Sequence, residues 1–262
     1  MRLENIAWKP EGTARPSPIL FVHGMWHAAW CWEKFQPYFA AHGYESHAMS
    51  LRGHGYSDGQ DRIRWYSAAK DYVADLDRMA REMEHPPILV GHSMGGYVIQ
   101  KYLETHTAPA AILLATIPVS GLGGAAVRFL RKSPAQLIKY ALFLDPLRLI
   151  DDPKLAKEML FSPTLSDAEF NQYYKHLQQD SFLATMEALL FRLPRPRKAK
   201  TPMLILAGGK DRIFSVKEAQ ATARAYHTQA VVFPNMAHEM MLDPEWQKVA
   251  DGMLGWLNQL GL

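Results

Sequence analysis

Ile88-Leu-Val-Gly-His-Ser-Met-Gly-Gly96 carries the strongest fold signal in this 262-residue chain. Ile88 to Gly91 is a short apolar run that suits a buried strand, and Met94 to Glu104 has helical periodicity. Ser93 stands between them at the centre of G-x-S-x-G, where glycines two positions to either side permit a strained turn. The order of strand, tight turn and helix predicts a nucleophile elbow that presents the Ser93 hydroxyl.

Similar apolar runs recur along the chain, and most of them are followed by helical patterns. This alternation predicts parallel strands joined by right-handed crossovers, and therefore an α/β fold with a mostly parallel, doubly wound sheet. The predicted strands are Ile19 to Val22, His47 to Leu51, Ile88 to Gly91, Ala111 to Ala115, Met203 to Ala207 and Ala230 to Phe233. The predicted helices around them are Tyr66 to Glu84, Met94 to Glu104, Val216 to Tyr226 and Trp246 to Leu260.

Residues 117–200 interrupt the alternation, because they contain helical patterns and no convincing strand. The patterns cover Gln136 to Leu144, Pro153 to Leu160, Asp167 to His176 and Phe182 to Phe191. Open α/β sheets bind ligands at the carboxyl ends of their strands, and we expect the insertion to lie there as a cap. The predicted domains are a core of residues 1–116 and 201–262 and a helical cap, or lid, of residues 117–200.

A serine hydroxyl is a weak nucleophile at neutral pH, so Ser93 needs a base and a carboxylate that orients the base. Among the histidines after Ser93, His238 lies in the loop after the last predicted strand, from which its ring can reach the elbow. Asp211 follows the predicted strand Met203 to Ala207 and completes the order serine, acid, histidine. The predicted catalytic residues are therefore Ser93, Asp211 and His238.

Attack on a carbonyl creates an oxyanion, which needs backbone N–H donors. Met94 supplies one as the residue after the nucleophile, at the start of a helix. Met25, in the loop after Ile19 to Val22, is the expected second donor, and Trp26 is the next candidate. The side chains of Trp26 and His27 are the candidate substrate-binding groups in the same loop.

The chain resembles the α/β-hydrolase superfamily over essentially its whole length. Four signatures carry the resemblance: His23-Gly24, Leu51-Arg-Gly-His-Gly-Tyr-Ser57, Gly91-His-Ser-Met-Gly-Gly96, and Asp211 together with His238. The resemblance implies the same triad, a hole formed by Met25 and Met94, and a lid over residues 117–200.

Within that superfamily, His23-Gly-Met-Trp-His-Ala-Ala-Trp-Cys-Trp32 resembles the plant methylesterase and hydroxynitrile lyase group. The lyases of that group have a threonine near the oxyanion loop and a lysine after the catalytic histidine. This chain has Met25 and Glu239 at those positions, and a negative charge at Glu239 disfavours cyanide release. Epoxide hydrolases and haloalkane dehalogenases resemble the fold but carry aspartate where Ser93 stands.

These observations predict a serine hydrolase that cleaves carboxylic esters through an acyl-enzyme. Carbon–carbon bond hydrolysis of diketones uses a similar triad and cap, and cleavage of lactones, amides or thioesters passes through the same oxyanion. A third reading is a ligand receptor that keeps the triad but turns over little. The expected partner is a small-molecule ester with an acyl or aromatic group, and the site needs no cofactor.

Composition excludes other classes of function. A formal net charge of +3 is too small to favour nucleic acid, and 48% hydrophobic with 21% charged residues is ordinary for a globular protein. Cys31 is the single cysteine, so no intrachain disulfide is expected, and no Cys/His spacing resembles a zinc site. The uncharged stretch from Thr107 to Val127 is interrupted by prolines and glycines, which argues against a membrane span. The first ten residues lack a signal-peptide pattern, so a cytoplasmic location is expected; no feature indicates an oligomeric state.

Overall fold

The computed structural model describes residues 1–262 apart from the side chain of Leu190. One sheet of seven strands has the spatial order β1-β3-β2-β4-β5-β6-β7. The strands are β1 (Asn5–Trp8), β2 (Ile19–Val22), β3 (Ser46–Met49), β4 (Ile88–His92), β5 (Ala111–Leu114), β6 (Met203–Gly208) and β7 (Ala230–Phe233). Strand β1 is antiparallel to β3, whereas every other neighbouring pair is parallel. The predicted α/β class with a mostly parallel, doubly wound sheet is confirmed.

The middle of the sheet is dry, because helices cover both of its faces. All residues of β2, β4, β5 and β6 are buried, which explains why these strands are continuous apolar runs instead of alternating patterns. In the register, Val22 of β2 lies beside Gly91 of β4, and Gly91 lies beside Leu113 of β5. The carboxyl ends of the central strands therefore meet at one edge, and Ser93 follows the strand at their centre.

Helices of two groups surround the sheet. Those between and after the strands are α1 (Phe35–Ala41), α2 (Val73–Arg81), α3 (Met94–Tyr102), α9 (Val216–Ala225) and α10 (Trp246–Gln259). Those between β5 and β6 are α4 (Gly123–Lys132), α5 (Pro134–Phe143), α6 (Pro153–Leu160), α7 (Asp167–Tyr174) and α8 (Phe182–Met186). We refer to residues 117–200, which contain the second group, as the helical insertion. No helix in the described part of the chain has the length and apolar character that crossing a membrane requires.

Three elements were not predicted from sequence, and each has a weak local signal. All four residues of β1 are exposed, so this antiparallel edge strand lacks a buried apolar run. Helix α1 has Pro37 within it, and α4 begins with two glycines, both unfavourable helix formers. Packing of their buried residues, such as Phe39 in α1 and Phe129 in α4, stabilises these helices despite their poor propensity.

Candidate active site

Ser93 sits on a strained turn between β4 and α3. Its backbone has φ 49° and ψ −111°, a conformation that L-residues rarely adopt. The Ser93 N–H donates to the Leu114 carbonyl at 3.0 Å, and the Ser93 carbonyl accepts from the Ile117 N–H at 3.2 Å, so β5 and the residues after it hold the turn. A Cβ at Gly95 would lie 2.3 Å from the Val22 carbonyl oxygen. Glycine is therefore required where the turn meets β2.

His238 and Asp211 form a buried hydrogen-bonded pair at the carboxyl edge of the sheet. The ring Nδ1 of His238 donates to the Asp211 Oδ2 at 2.9 Å, and both side chains are almost fully buried. The other carboxylate oxygen, Oδ1, accepts from the backbone N–H groups of Ile213 at 2.7 Å and Phe214 at 2.9 Å. These three bonds fix the carboxylate, which in turn fixes the ring and leaves its Nε2 as the free nitrogen.

The environment of His238 favours its protonated form. Burial of the ring lowers its pKa, but the charge of Asp211, the hydrogen bond to Asp211 and the charge of Glu239 outweigh burial. The pKa of His238 is consequently raised above its ordinary value of 6.5. Because a general base must be neutral before it accepts a proton, a raised pKa moves the onset of base catalysis to higher pH.

The loop of residues 23–28, which we name the β2 loop, follows strand β2 and faces the elbow. The carbonyl of Gly24 accepts from the His23 Nδ1 at 2.8 Å and from the His27 N–H at 3.4 Å. In a trans peptide the N–H points opposite to the carbonyl, so the Met25 N–H points away from the His23 ring. Met94 is the first residue of α3, where the helix leaves its N–H without an intrahelical acceptor. Among the described residues, no acceptor is found for either N–H group.

The backbone N–H of Trp26 differs from that of Met25, because it already has a hydrogen-bond acceptor. It donates to the Oδ2 of Asp180 at 2.8 Å. The alternative expectation from sequence, a Trp26 N–H donor for the oxyanion, is therefore not supported by the geometry. The Trp26 backbone is also left-handed, with φ 66°.

A cavity of about 120 Å³ lies between the edge of the sheet and the helical insertion. Ser93, His238, Met25 and Trp26 contribute to its core side, and Phe214 extends that side. The insertion supplies mostly apolar walls, among them Leu122, Phe129, Leu137, Leu149 and Leu189. Two larger clefts of about 620 Å³ each are open, and neither is lined by Ser93, Asp211 or His238. The small apolar cavity is therefore the one in which a bound molecule would lie next to the candidate nucleophile.

Among the described residues, those that line this cavity do not include His27. This differs from the predicted contact of His27 with substrate. Its ring is fully buried, with the Nδ1 at 2.7 Å from the Met25 carbonyl and the Nε2 at 3.4 Å from the Glu239 carboxylate. His92 faces the same carboxylate at 3.7 Å. Burial raises the pKa of Glu239, while His27 and His238 oppose that rise. The His27 ring therefore lies beside Glu239 and outside the lining of the cavity.

Sequence reasoning missed Asp180 and the roles of Glu239 and His27, which depend on contacts between distant parts of the chain. Glu239 follows His238 directly and was noticed only for its charge. Ligand atoms of His92, His238 and Glu239 lie within 4.8 Å of one another and could approach a metal ion. A metal held by these three would take His238 away from Ser93, so the donor set fits the triad better than a metal centre.

The chain is similar to several known proteins. A model of the alpha/beta hydrolase family matches residues 19–251. The monoacylglycerol lipase of Mycolicibacterium smegmatis is 25% identical, and the match covers 98% of this chain and 93% of the lipase. The pFDCC methylesterase MES16 of Arabidopsis thaliana is 38% identical over 33% of each chain. The crystal structure of a Paleococcus ferrophilus monoacylglycerol lipase has a TM-score of 0.74 at 19% identity and covers 99% of this chain and 100% of that one.

Proposed function

Because the chain belongs to the alpha/beta hydrolase family, we propose that it is a serine hydrolase that cleaves carboxylic esters through an acyl-enzyme. The observation that carries the proposal is the buried bond of 2.9 Å from the His238 Nδ1 to Asp211, beside a cavity that Ser93 and His238 both line. Relatives whose names are lipase, esterase and methylesterase support the same reaction class.

In the acylation step, the Ser93 Oγ attacks the ester carbonyl carbon while the Nε2 of His238 takes the hydroxyl proton. Asp211 keeps the proton on Nδ1, so that Nε2 is the nitrogen available as base. The N–H groups of Met25 and Met94 donate to the oxyanion. When the carbon–oxygen bond of the ester breaks, the leaving alcohol takes the proton from Nε2 and the acyl group stays on Ser93.

In the deacylation step, a water molecule attacks the acyl carbon and gives its proton to His238. The same oxyanion donors stabilise the second tetrahedral intermediate. Its collapse breaks the bond to Ser93 and returns the proton to the serine oxygen. The carboxylic acid then leaves, and the enzyme is back in its starting state.

The helical insertion is proposed as the cap of this site, with residues 1–116 and 201–262 as the core. It provides the apolar walls of the cavity and contacts the loop that carries His238. The Ser162 Oγ accepts from the Ala237 N–H at 2.9 Å, and the Leu160 carbonyl accepts from the Glu239 N–H at 3.0 Å. A substrate must therefore fit its acyl or aromatic group between the insertion and the core.

The reaction class is tested with p-nitrophenyl esters from acetate to palmitate. The small apolar cavity predicts turnover of short and medium acyl chains on the order of 1 per second or faster, and a steep fall for palmitate. Diketones, lactones, amides and thioesters are assayed in parallel. If the folded protein cleaves none of the esters but does cleave another of these substrates, or none at all, the proposed ester hydrolysis is wrong.

The raised pKa of His238 predicts the position of the acidic limb of the pH profile. We expect kcat/KM to fall with a midpoint above pH 6.5, because the ring keeps its proton to higher pH than an ordinary histidine. Glu239→Gln removes one of the charges that raise this pKa, so its midpoint moves to lower pH. The measurement is kcat/KM from about pH 5 to about pH 9. Glu82→Gln, an exposed change immediately after α2, serves as the control and leaves the midpoint in place. A midpoint at or below the ordinary histidine value, or an upward shift in Glu239→Gln, contradicts this account of the site.

A further inference from the structure

Asp180 is a fully buried carboxylate in the helical insertion that binds the β2 loop of the core. Its Oδ2 accepts from the Trp26 N–H at 2.8 Å and lies 3.1 Å from the Nε2 of His54. Its Oδ1 accepts from the Ser181 N–H at 2.6 Å. Burying a carboxylate is costly unless its oxygens are bonded, and here both oxygens are occupied. The mechanism above uses neither Asp180 nor His54.

Gln178 binds the same loop from two residues upstream. Its backbone N–H donates to the Trp26 carbonyl at 2.9 Å, and its side-chain Nε2 donates to the His27 carbonyl at 3.1 Å. Both backbone polar groups of Trp26 are thus held by the insertion. The Met25 carbonyl is held within the loop by the His27 ring. The β2 loop therefore takes its shape from partners about 150 residues away in the sequence.

External bonds of this kind are needed because the loop conformation is unfavourable by itself. Trp26 has φ 66°, and a bulky residue with positive φ persists only where its surroundings impose it. The peptide that precedes this residue joins the Met25 carbonyl to the Trp26 N–H, and the Met25 N–H, the candidate oxyanion donor, lies one peptide earlier. If Trp26 relaxes to negative φ, the Met25–Trp26 peptide turns, and we expect the Met25 dihedrals to readjust so that its N–H shifts relative to the elbow.

We propose that Asp180 is a positioning residue of the oxyanion hole: through its bond to the Trp26 N–H, the helical insertion holds the Met25 N–H in its productive direction. The inference rests on the proposed ester hydrolysis for its catalytic part. It extends the role of the insertion from enclosing the substrate to assembling the catalytic site. Asp180 is not one of the described residues that line the cavity, and it does not contact Ser93 or His238.

The test compares Asp180→Ala and Asp180→Asn with Asp145→Ala as the matched control. Asp145 is also a buried aspartate of the insertion, but it accepts from the Leu147 N–H at 3.0 Å within its own turn. Three quantities are measured in each variant: kcat and KM for a p-nitrophenyl ester, the inhibition constant of an alkyl trifluoromethyl ketone, and amide hydrogen exchange of residues 23–28. The ketone adds to a catalytic serine and places a negative oxygen in the oxyanion hole, so its affinity reports on the N–H donors.

In Asp180→Ala we expect kcat to fall by about 10- to 100-fold with KM nearly unchanged, because the loss is confined to transition-state geometry. The inhibition constant of the ketone rises by a similar factor, and exchange in residues 23–28 becomes faster. Asp180→Asn keeps one acceptor oxygen, so we expect smaller changes in kcat, in the inhibition constant of the ketone and in the exchange rate than in Asp180→Ala. Asp145→Ala lowers the melting temperature but leaves the three quantities near those of the wild type.

Two results overturn the inference. Unchanged exchange of residues 23–28 in Asp180→Ala shows that Asp180 does not hold the loop. Faster exchange with unchanged kcat and ketone affinity shows that Asp180 holds the loop but that the oxyanion donors do not depend on it for their direction. A wild-type protein that hydrolyses no ester and binds no ketone contradicts the proposed function instead, and the exchange measurement still decides whether Asp180 positions the loop.

Discussion

Ser93→Ala lowers kcat/KM for p-nitrophenyl esters by at least about 10⁴-fold, because the variant has no oxygen that can attack the carbonyl. Alanine keeps the Cβ of serine, so the strained turn at φ 49° and the packing around it are retained. The oxyanion donors and the cavity remain, and they account for a small residual rate above that of water. The measurement is steady-state hydrolysis by the variant and the wild type at matched concentration.

Ser46→Ala is the control for this change. Ser46 is also a fully buried serine, the first residue of β3, and its hydroxyl has no hydrogen-bond partner among the described residues. Its removal leaves no partner unsatisfied, so we expect activity within about twofold of the wild type and little change in stability. Retention of more than about a tenth of the wild-type kcat/KM by Ser93→Ala, with normal folding, contradicts the role of Ser93 as nucleophile.

Asp211→Asn lowers kcat by about 10³- to 10⁴-fold with a much smaller effect on KM. The asparagine amide can donate to the Nδ1 of His238, which places the ring proton on Nε2, so that the nitrogen proposed to take the Ser93 proton is no longer a free base. The side chain keeps an oxygen for the N–H groups of Ile213 and Phe214, so the fold of the loop is preserved. The measurement is kcat and KM by steady-state kinetics, together with the melting temperature.

The control for Asp211→Asn is Asp251→Asn, on α10. Asp251 accepts from the Tyr38 hydroxyl at 2.6 Å at the protein surface, and it follows His238 in the chain, outside the order serine, acid, histidine. We expect wild-type kcat in this variant. Equal activity of Asp211→Asn and the wild type would mean that another carboxylate orients His238.

The agreement between sequence and structure is best where chemistry imposes a local pattern. Ile88 to Gly91 was predicted as a strand and is observed as Ile88–His92, because an apolar run before G-x-S-x-G leaves few alternatives. Asp211 and His238 were predicted from their order after Ser93, and the structure brings them into hydrogen-bond contact. Their catalytic roles remain predictions until the variants are measured.

The agreement is poorest where the interaction spans the chain or where the local signal is weak. Asp180 is 154 residues from Trp26 in sequence, and no periodicity or spacing marks it as a partner of that loop. The same holds for His27, whose ring was expected near substrate but lies beside Glu239, outside the lining of the cavity. Strand β1 is exposed and antiparallel, so it is stabilised by pairing with β3 and not by an apolar pattern of its own. Such features follow from tertiary contacts, which a single sequence does not display.

The helical insertion links these long-range contacts to the chemistry. Its residues line the cavity, bond the loop of His238 and hold both polar groups of the Trp26 backbone. A movement of the insertion would therefore change the shape of the cavity and the direction of the oxyanion donors together. If the proposed mechanism holds, we expect substrate selection and rate to be coupled, because both would depend on where the insertion rests on the core.

The most direct test of the account is capture of the acyl-enzyme. p-Nitrophenoxide is a good leaving group, so acylation of the wild type by p-nitrophenyl butyrate should outpace water attack and let the intermediate accumulate. The reaction is quenched in acid within its first turnovers and analysed by intact mass and peptide mapping. We expect one butyryl group on Ser93 in the wild type and none in Ser93→Ala. Turnover with no adduct on Ser93, or a butyryl group on another residue whose loss abolishes activity, would contradict it.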